Sequence, residues 1–486
     1  SNPSLHIGLR SPNITGYASM NEDAMGETDS CLLQTSKKCK DACEFEESTA
    51  AGSEQGESVA QSADLEEATP LLQRRREDVP VWAHELFRTF HAALDVFKGV
   101  LVVIMTLAHT DLTLMSPDQQ YVGVPHAIGN IAASVCFLGF MLAYGFSCDY
   151  AYFSDLKARA PVERFWRMLR SAALPVLGAW VCAFGWGWMF YKLPMDIWTL
   201  MYLLDFRITL GNGPDFLLCF TVALLVTYPC RHALNIALRR ERPLLVRVAF
   251  AILMLLLPLK LAQMVITDCT GLRKYYGYLF ECTKRDAFAP VLPALPHLFY
   301  FNMGILLSRG VLAFDGALKS GYKPDKGMLI SSSLLFATLT LIVSYPLMTL
   351  WSSNFGNLST KTSWGMVTRG FTDGPSILWL LGNIAPVAFM LSISIAMHCV
   401  ATFCTARNAI LHWLLLRPLR HIRDELAHLG SNVLLYLVIA DVCLAGLYRG
   451  PTGQTLPLSG CISMMLGILA ITRFICYLSA SRRELR

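Results

Sequence analysis

About ten long apolar stretches constrain this chain more than any other feature. They run approximately over Leu94–Leu114, Ala127–Cys148, Ala172–Tyr191, Pro214–Cys230, Val246–Val265, Val291–Leu307, Met328–Trp351, Ile377–Phe403, Val433–Leu447 and Leu458–Leu478. A helix needs about 20 apolar residues to cross the hydrocarbon of a bilayer, and these runs reach or approach that length. Lipid offers no hydrogen bonds, so each run must satisfy its own backbone and becomes a helix. Of 486 residues, 54% are hydrophobic and 16% charged, with a mean hydropathy of +0.43, which excludes a soluble globular domain. The expected fold is all-α, a polytopic membrane protein of about ten transmembrane helices. The fourth, sixth and ninth runs are the shortest.

Residues 1–80 differ from the rest. They are rich in Ser, Glu, Ala, Gly and Thr and poor in aromatics, a composition that cannot bury enough apolar surface to order itself. They are expected to form a disordered cytosolic tail, followed by a multi-span domain over 81–486. Glu67-Ala68-Thr69-Pro70-Leu71-Leu72 resembles the acidic dileucine signal read by adaptor proteins on endosomal, lysosomal and vacuolar membranes. The chain begins at Ser1 without a methionine, which leaves room for a leader or a further span before it.

Loop charge sets the orientation. One set of connections carries Lys157, Arg159, Arg164, Arg167 and Arg170, then Arg231, Arg239, Arg240, Arg242 and Arg247, then Arg309, Lys319, Lys323 and Lys326, then Arg407, Arg417, Arg420 and Arg423. The alternate connections are poorer in cations, so the first set and both termini are expected in the cytosol. The net charge of +5 therefore reflects orientation rather than a nucleic-acid partner. On the opposite side fall the Asn357-Leu358-Ser359 sequon and the pair Cys269 and Cys282, expected as a glycosylation site and a disulfide. Closing a loop of thirteen residues stabilises by roughly 3 kcal/mol in the chain-entropy model.

Within the first run, Leu94-Asp95-Val96-Phe97-Lys98-Gly99 is followed by His109. Eleven positions at about 100° each make almost three turns, so Lys98 and His109 share a helix face about 16 Å apart. Ionisable groups inside a membrane are costly and mark a functional path unless they snorkel or pair locally.

The opening motif, with a Lys or Arg followed by a His, resembles that of the membrane acyltransferase-3 family. Cys136-Phe137-Leu138-Gly139-Phe140-Met141-Leu142-Ala143-Tyr144-Gly145-Phe146 resembles the family's second span. Arg164-Phe165-Trp166-Arg167-Met168-Leu169-Arg170, with Pro175, resembles its basic segment before the third. The fourth span departs from the family, with Asp215-Phe216 in place of a Trp-containing opening. The heparan-glucosaminide N-acetyltransferase group shares a similar first-span motif and is lysosomal. This resemblance implies an integral-membrane acyltransferase that carries an acyl group, most simply acetyl, from cytosolic acyl-CoA to a glycan or other polar acceptor on the lumenal or extracellular side.

The chemistry suits those residues. Acyl-CoA is a co-substrate rather than a resident cofactor, and its phosphates call for fixed cations. Lys98 is the candidate at the mouth of the first span. Arg164, Arg167 and Arg170, spaced by three on one helical side, are candidates beside it, although the same charges serve orientation and lipid headgroups. His109 is the candidate general base, removing a proton from the acceptor, or alternatively the site of an acetyl-His intermediate. A carboxylate should orient its ring. Asp111 sits about 200° away round the helix, leaving Asp215, ranked first, or Asp441. His126 and His297 near lumenal span ends are further acceptor-side candidates. No P-loop, zinc-spaced cysteine set, Rossmann glycine signature or Ser nucleophile elbow is present, and no metal is expected. The competing class is a transporter or channel with Lys98 and His109 lining a permeation path; inverted repeats would mark it, and none is evident. The compartment is an endomembrane or the plasma membrane.

Overall fold

The computed structural model describes residues 85–120, 122–153, 161–191, 215–239, 242–265, 294–317, 326–355, 383–404, 412–449 and 455–484. The tail, the Cys269–Cys282 loop and the Asn357 sequon lie outside them. Helices dominate: α1 (Glu85–Leu114), α2 (Gly123–Ile131), α3 (Phe137–Cys148), α4 (Pro161–Tyr191), α5 (Asp215–Thr227), α6 (Leu244–Val265), α7 (Ala294–Ala317), α8 (Lys326–Phe355), α9 (Ile384–Phe403), α10 (Arg417–Ser431), α11 (Val433–Arg449) and α12 (Leu458–Glu484). The described residues contain no strand, only an isolated bridge between Met115 and Leu456. The all-α expectation holds, and the described parts of the apolar runs are helical.

Among the described residues, five helical segments are long and apolar enough to cross a membrane: Phe87–Leu114, Leu217–Ala237, Leu244–Leu261, Ile384–Phe403 and Leu458–Leu478. A sixth is formed if the pair Trp413–Ser431 and Val433–Tyr448, bent by 83°, counts as one span. The remaining runs are helical without meeting both criteria. One reason is that α3 is flanked by π-helical turns, Ala132–Cys136 and Asp149–Phe153, where the regular hydrogen-bond ladder is interrupted.

In lipid, apolar faces gain little by meeting each other, so helix pairing relies on close backbone approach and on polar contacts. Both are evident. A Cβ added at Gly145 would overlap the carbonyl of Phe301, and one at Gly304 would overlap that of Leu142, so α3 and α7 cross with almost no side chain between them. Gly99 and Gly430 make the same kind of crossing between α1 and α10, against Leu426 and Asp95 respectively.

Polar contacts then repair what prolines break. Pro258 has no N–H, which orphans the Met254 carbonyl one turn earlier. Asn302 Nδ2 of α7 donates to that carbonyl at 2.7 Å. Farther along α7, Arg309 donates from Nε to Asp149 Oδ1 at 2.8 Å and from Nη2 to Asn235 at 2.7 Å, while the Ser308 hydroxyl donates to Asp149 Oδ2 at 2.8 Å. Asp149 is fully buried, and a buried carboxylate is tolerable when its oxygens are taken up in this way.

The hub is α1. Helices α9, α10, α11 and α12 all pack along it. Its residues Phe97, Leu101 and Val102 are fully buried in the main core, whereas Leu114 and Met115 join Ala440, Leu444, Cys461 and Ile468 in a second apolar cluster at its far end.

Candidate active site

Along α1 the His109 ring lies 6% exposed, and its Nδ1 is 3.2 Å from Asp441 Oδ1 of α11, itself 4% exposed. Neither residue is near the other in the chain, so the pair exists because α11 runs beside α1. Thr113 donates from its hydroxyl to the His109 carbonyl at 2.6 Å, and Thr110 does the same to the Thr106 carbonyl at 2.7 Å. These bonds occupy threonine hydroxyls that a membrane helix must satisfy locally. The thiol of Cys182 on α4 lies near the same carboxylate. Cys182 is fully buried. The core of the site is therefore an imidazole, a carboxylate and a thiol drawn from three helices.

Of the two carboxylates ranked for His109, the one on its ring is Asp441. Asp215 opens α5, which packs against α4, α7 and α3. Asp111 faces a different helix from His109, in keeping with its offset round α1, yet it is not turned toward lipid: it is 5% exposed, and the Cys461 thiol of α12 lies near it. Sequence reasoning missed this seam and Cys182 alike, because cysteines inside apolar runs read as small hydrophobes.

Lys98 lies about three turns from His109 toward the start of α1. Its Nζ is 2.6 Å from Asp95 Oδ1, one turn back, with side-chain exposures of 19% and 23%. His91, another turn back, is 4.0 Å from the same carboxylate. Arg164, Arg167 and Arg170 stand on the first turns of α4, where Arg167 pairs with Glu163 at 2.6 Å. Their helix packs chiefly on α5 and α11, whereas the helix lying across Lys98's turn is α10. His297 is fully buried with its ring edge-on to Phe137 at 4.6 Å, and His126 is half-buried on α2. No group of three or more potential metal ligands occurs among the described residues.

A buried imidazole held by a carboxylate between apolar helices, with a cation toward one end of the same helix, belongs to a chain whose helices fit an integral membrane protein. Residues 91–346 match the family model described as the catalytic domain of heparan-alpha-glucosaminide N-acetyltransferase. The match takes in more than half of the chain, and the chain belongs to that family of membrane acetyltransferases. It is the second of the two groups whose first-span motif the sequence resembles. The chain matches no curated protein and no solved structure.

Proposed function

We propose that this protein moves an acetyl group from acetyl-CoA, bound from the cytosol, to a polar group of a glycan acceptor on the opposite side of the membrane. The observation that carries the reading is the His109–Asp441 pair, buried within a chain of acetyltransferase lineage. Asp441 on Nδ1 fixes the ring and favours the imidazolium that forms when the ring takes a proton. Nε2 is then the nitrogen that removes the acceptor's proton as the acceptor attacks the thioester carbonyl. The C–S bond breaks, coenzyme A leaves as the thiol, and the proton taken by His109 passes to the departing sulfur. A buried ring is suited to this because low dielectric strengthens its interaction with Asp441.

Lys98 at the cytosolic end of the same helix holds a donor phosphate, and Arg164, Arg167 and Arg170 add positive potential at that face. Both termini are cytosolic in this reading, and the dileucine-like stretch ending at Leu72 directs the protein to an endomembrane by adaptor binding. Family lineage favours transfer over permeation, the reading the first helix alone also allowed.

Purified protein in nanodiscs tests this with acetyl-CoA and an amino-sugar acceptor. Acceptor-dependent release of free CoA thiol is expected from wild type and not from His109→Ala. Wild type that binds acetyl-CoA and releases no thiol with any sugar acceptor would overturn the assignment.

A further inference from the structure

Three helices bring polar side chains together around Asp95, the carboxylate that pairs with Lys98. On α9, His398 and Thr402 are one turn apart and share a face. On α10, Arg423, Leu426 and Gly430 fall at i, i+3 and i+7 and share the face that lies on α1, where Gly430 abuts the Asp95 carbonyl and Leu426 abuts Gly99. Arg423 Nη1 donates to the Thr402 hydroxyl at 2.8 Å, joining α10 to α9. Arg420 ties the same two helices by donating to the carbonyls of Ala401 at 2.9 Å and Cys404 at 3.1 Å. His398 is within electrostatic reach of Arg423, Asp424 and Asp95, so its ring sits where the three helices meet.

That ring is 9% exposed, and its Nδ1 meets no hydrogen-bonding partner among the described residues. A buried polar atom left unpaired is costly and calls for an explanation. The surrounding charges supply one. Lys98 is matched by Asp95, and Arg423 by Asp424 at 2.6 Å. Asp424 is 60% exposed, so its pairing is weak and yields readily to a stronger anion. A phosphate carries more charge and more acceptor oxygens than a carboxylate, and a guanidinium fork prefers it.

We propose that the junction of α1, α9 and α10 seats a phosphate of the acyl-CoA donor, with Lys98, His398 and Arg423 as the donors of its hydrogen bonds. This rests on the acetyl-CoA reading above and extends it to two helices that the first-span motif does not touch. The neutral imidazole supplies one N–H through either tautomer, Arg423 supplies the fork, and Lys98 the compact charge. Arg420, spent on the end of α9, holds the junction together without touching the ligand.

Equilibrium binding to the full chain in nanodiscs tests it with three probes: coenzyme A, its 3′-dephospho form, and pantetheine, which lacks every phosphate. His398→Ala and Arg423→Ala should each weaken coenzyme A about tenfold, the scale of one hydrogen bond to a charged group, and leave pantetheine unchanged. Arg423→Lys and His398→Gln, which keep a donor, should recover most of the loss and show that the fold is intact. Loss confined to coenzyme A assigns the seat to the 3′-phosphate; loss shared with the dephospho form assigns it to the pyrophosphate. Variants that bind coenzyme A as wild type does, or that lose pantetheine equally, overturn the proposal. Wild type that binds none of the three probes would instead remove the donor reading on which it rests.

Discussion

His109 and Asp441, 332 positions apart in the chain, meet at 3.2 Å between Nδ1 and Oδ1 with both side chains withdrawn from solvent. Exchanging the imidazole should therefore leave donor binding intact and slow the chemical step. His109→Ala is expected to cut kcat by roughly 10²-fold or more, the usual contribution of a general base, with the affinity for acetyl-CoA near that of wild type. Asp441→Asn should also act on kcat, since it removes the charge that steadies the imidazolium. Asp215→Asn should stay closer to wild type. Steady-state kinetics of the three variants check the order, and a larger loss at Asp215 would transfer the orienting role to α5.

Lys98 should behave in the opposite way. Binding energy shared by ground and transition states appears in KM rather than in kcat. Lys98→Ala is expected to raise KM for acetyl-CoA with little change in kcat, and Lys98→Arg to restore it. Removing Arg164, Arg167 and Arg170 together should reduce the salt dependence of donor association, because exposed charges steer more than they bind. Association rates measured between low and physiological ionic strength test this.

Asn302 stands in for the hydrogen bond that Pro258 cannot make. Asn302→Leu should strand the Met254 carbonyl and destabilise the bundle by about 1–3 kcal/mol. Pro258→Ala restores a native N–H at that point, so the cost of Asn302→Leu should shrink in the double variant. Thermal midpoints of the four proteins form the cycle, and strict additivity would show the two residues to be uncoupled.

Gly430 leaves no room for a side chain where α10 crosses α1. Gly430→Ala should force the helices apart and lower the thermal midpoint, since overpacking of a tight contact costs typically 1–3 kcal/mol. Gly310, whose Cβ would meet nothing within 4 Å, gives the comparison: Gly310→Ala should be neutral or slightly stabilising.

Helix content and the poles of α1 were legible in the sequence because they depend on local properties. Apolar length makes a helix in lipid, and the spacing from Lys98 to His109 places both on one face whatever surrounds them. Which carboxylate meets His109 was not legible. Two apolar helices present much the same surface to lipid and to each other, so nothing local says that α11 rather than α5 adjoins α1. The stretch from His412 to Ser431 was read only as a positively charged connection. Its helix was nonetheless foreshadowed by Leu416, Leu419, Leu426 and Leu429 at spacings of three and seven, a face that the structure turns inward, with Leu416 and Leu429 buried.

The anchorage of α10 and α11 at two separate points of α1 has a consequence for donor choice. Gly430 is fixed on Asp95 and Asp441 on His109. α10 and α11 meet at a bend of 83° and each is tied to α1 at its own point, so α1 cannot slip past them without breaking one of the two contacts, and its Lys98 and His109 stay about 16 Å apart along the axis. Held in this way, α1 acts as a ruler of set length between the anion seat and the imidazole. A donor whose acyl group hangs on a long flexible arm can touch both marks. Acetyl phosphate, in which the two groups adjoin, can reach only one of them at a time, and the energy of the anion seat is then of no use to the transfer.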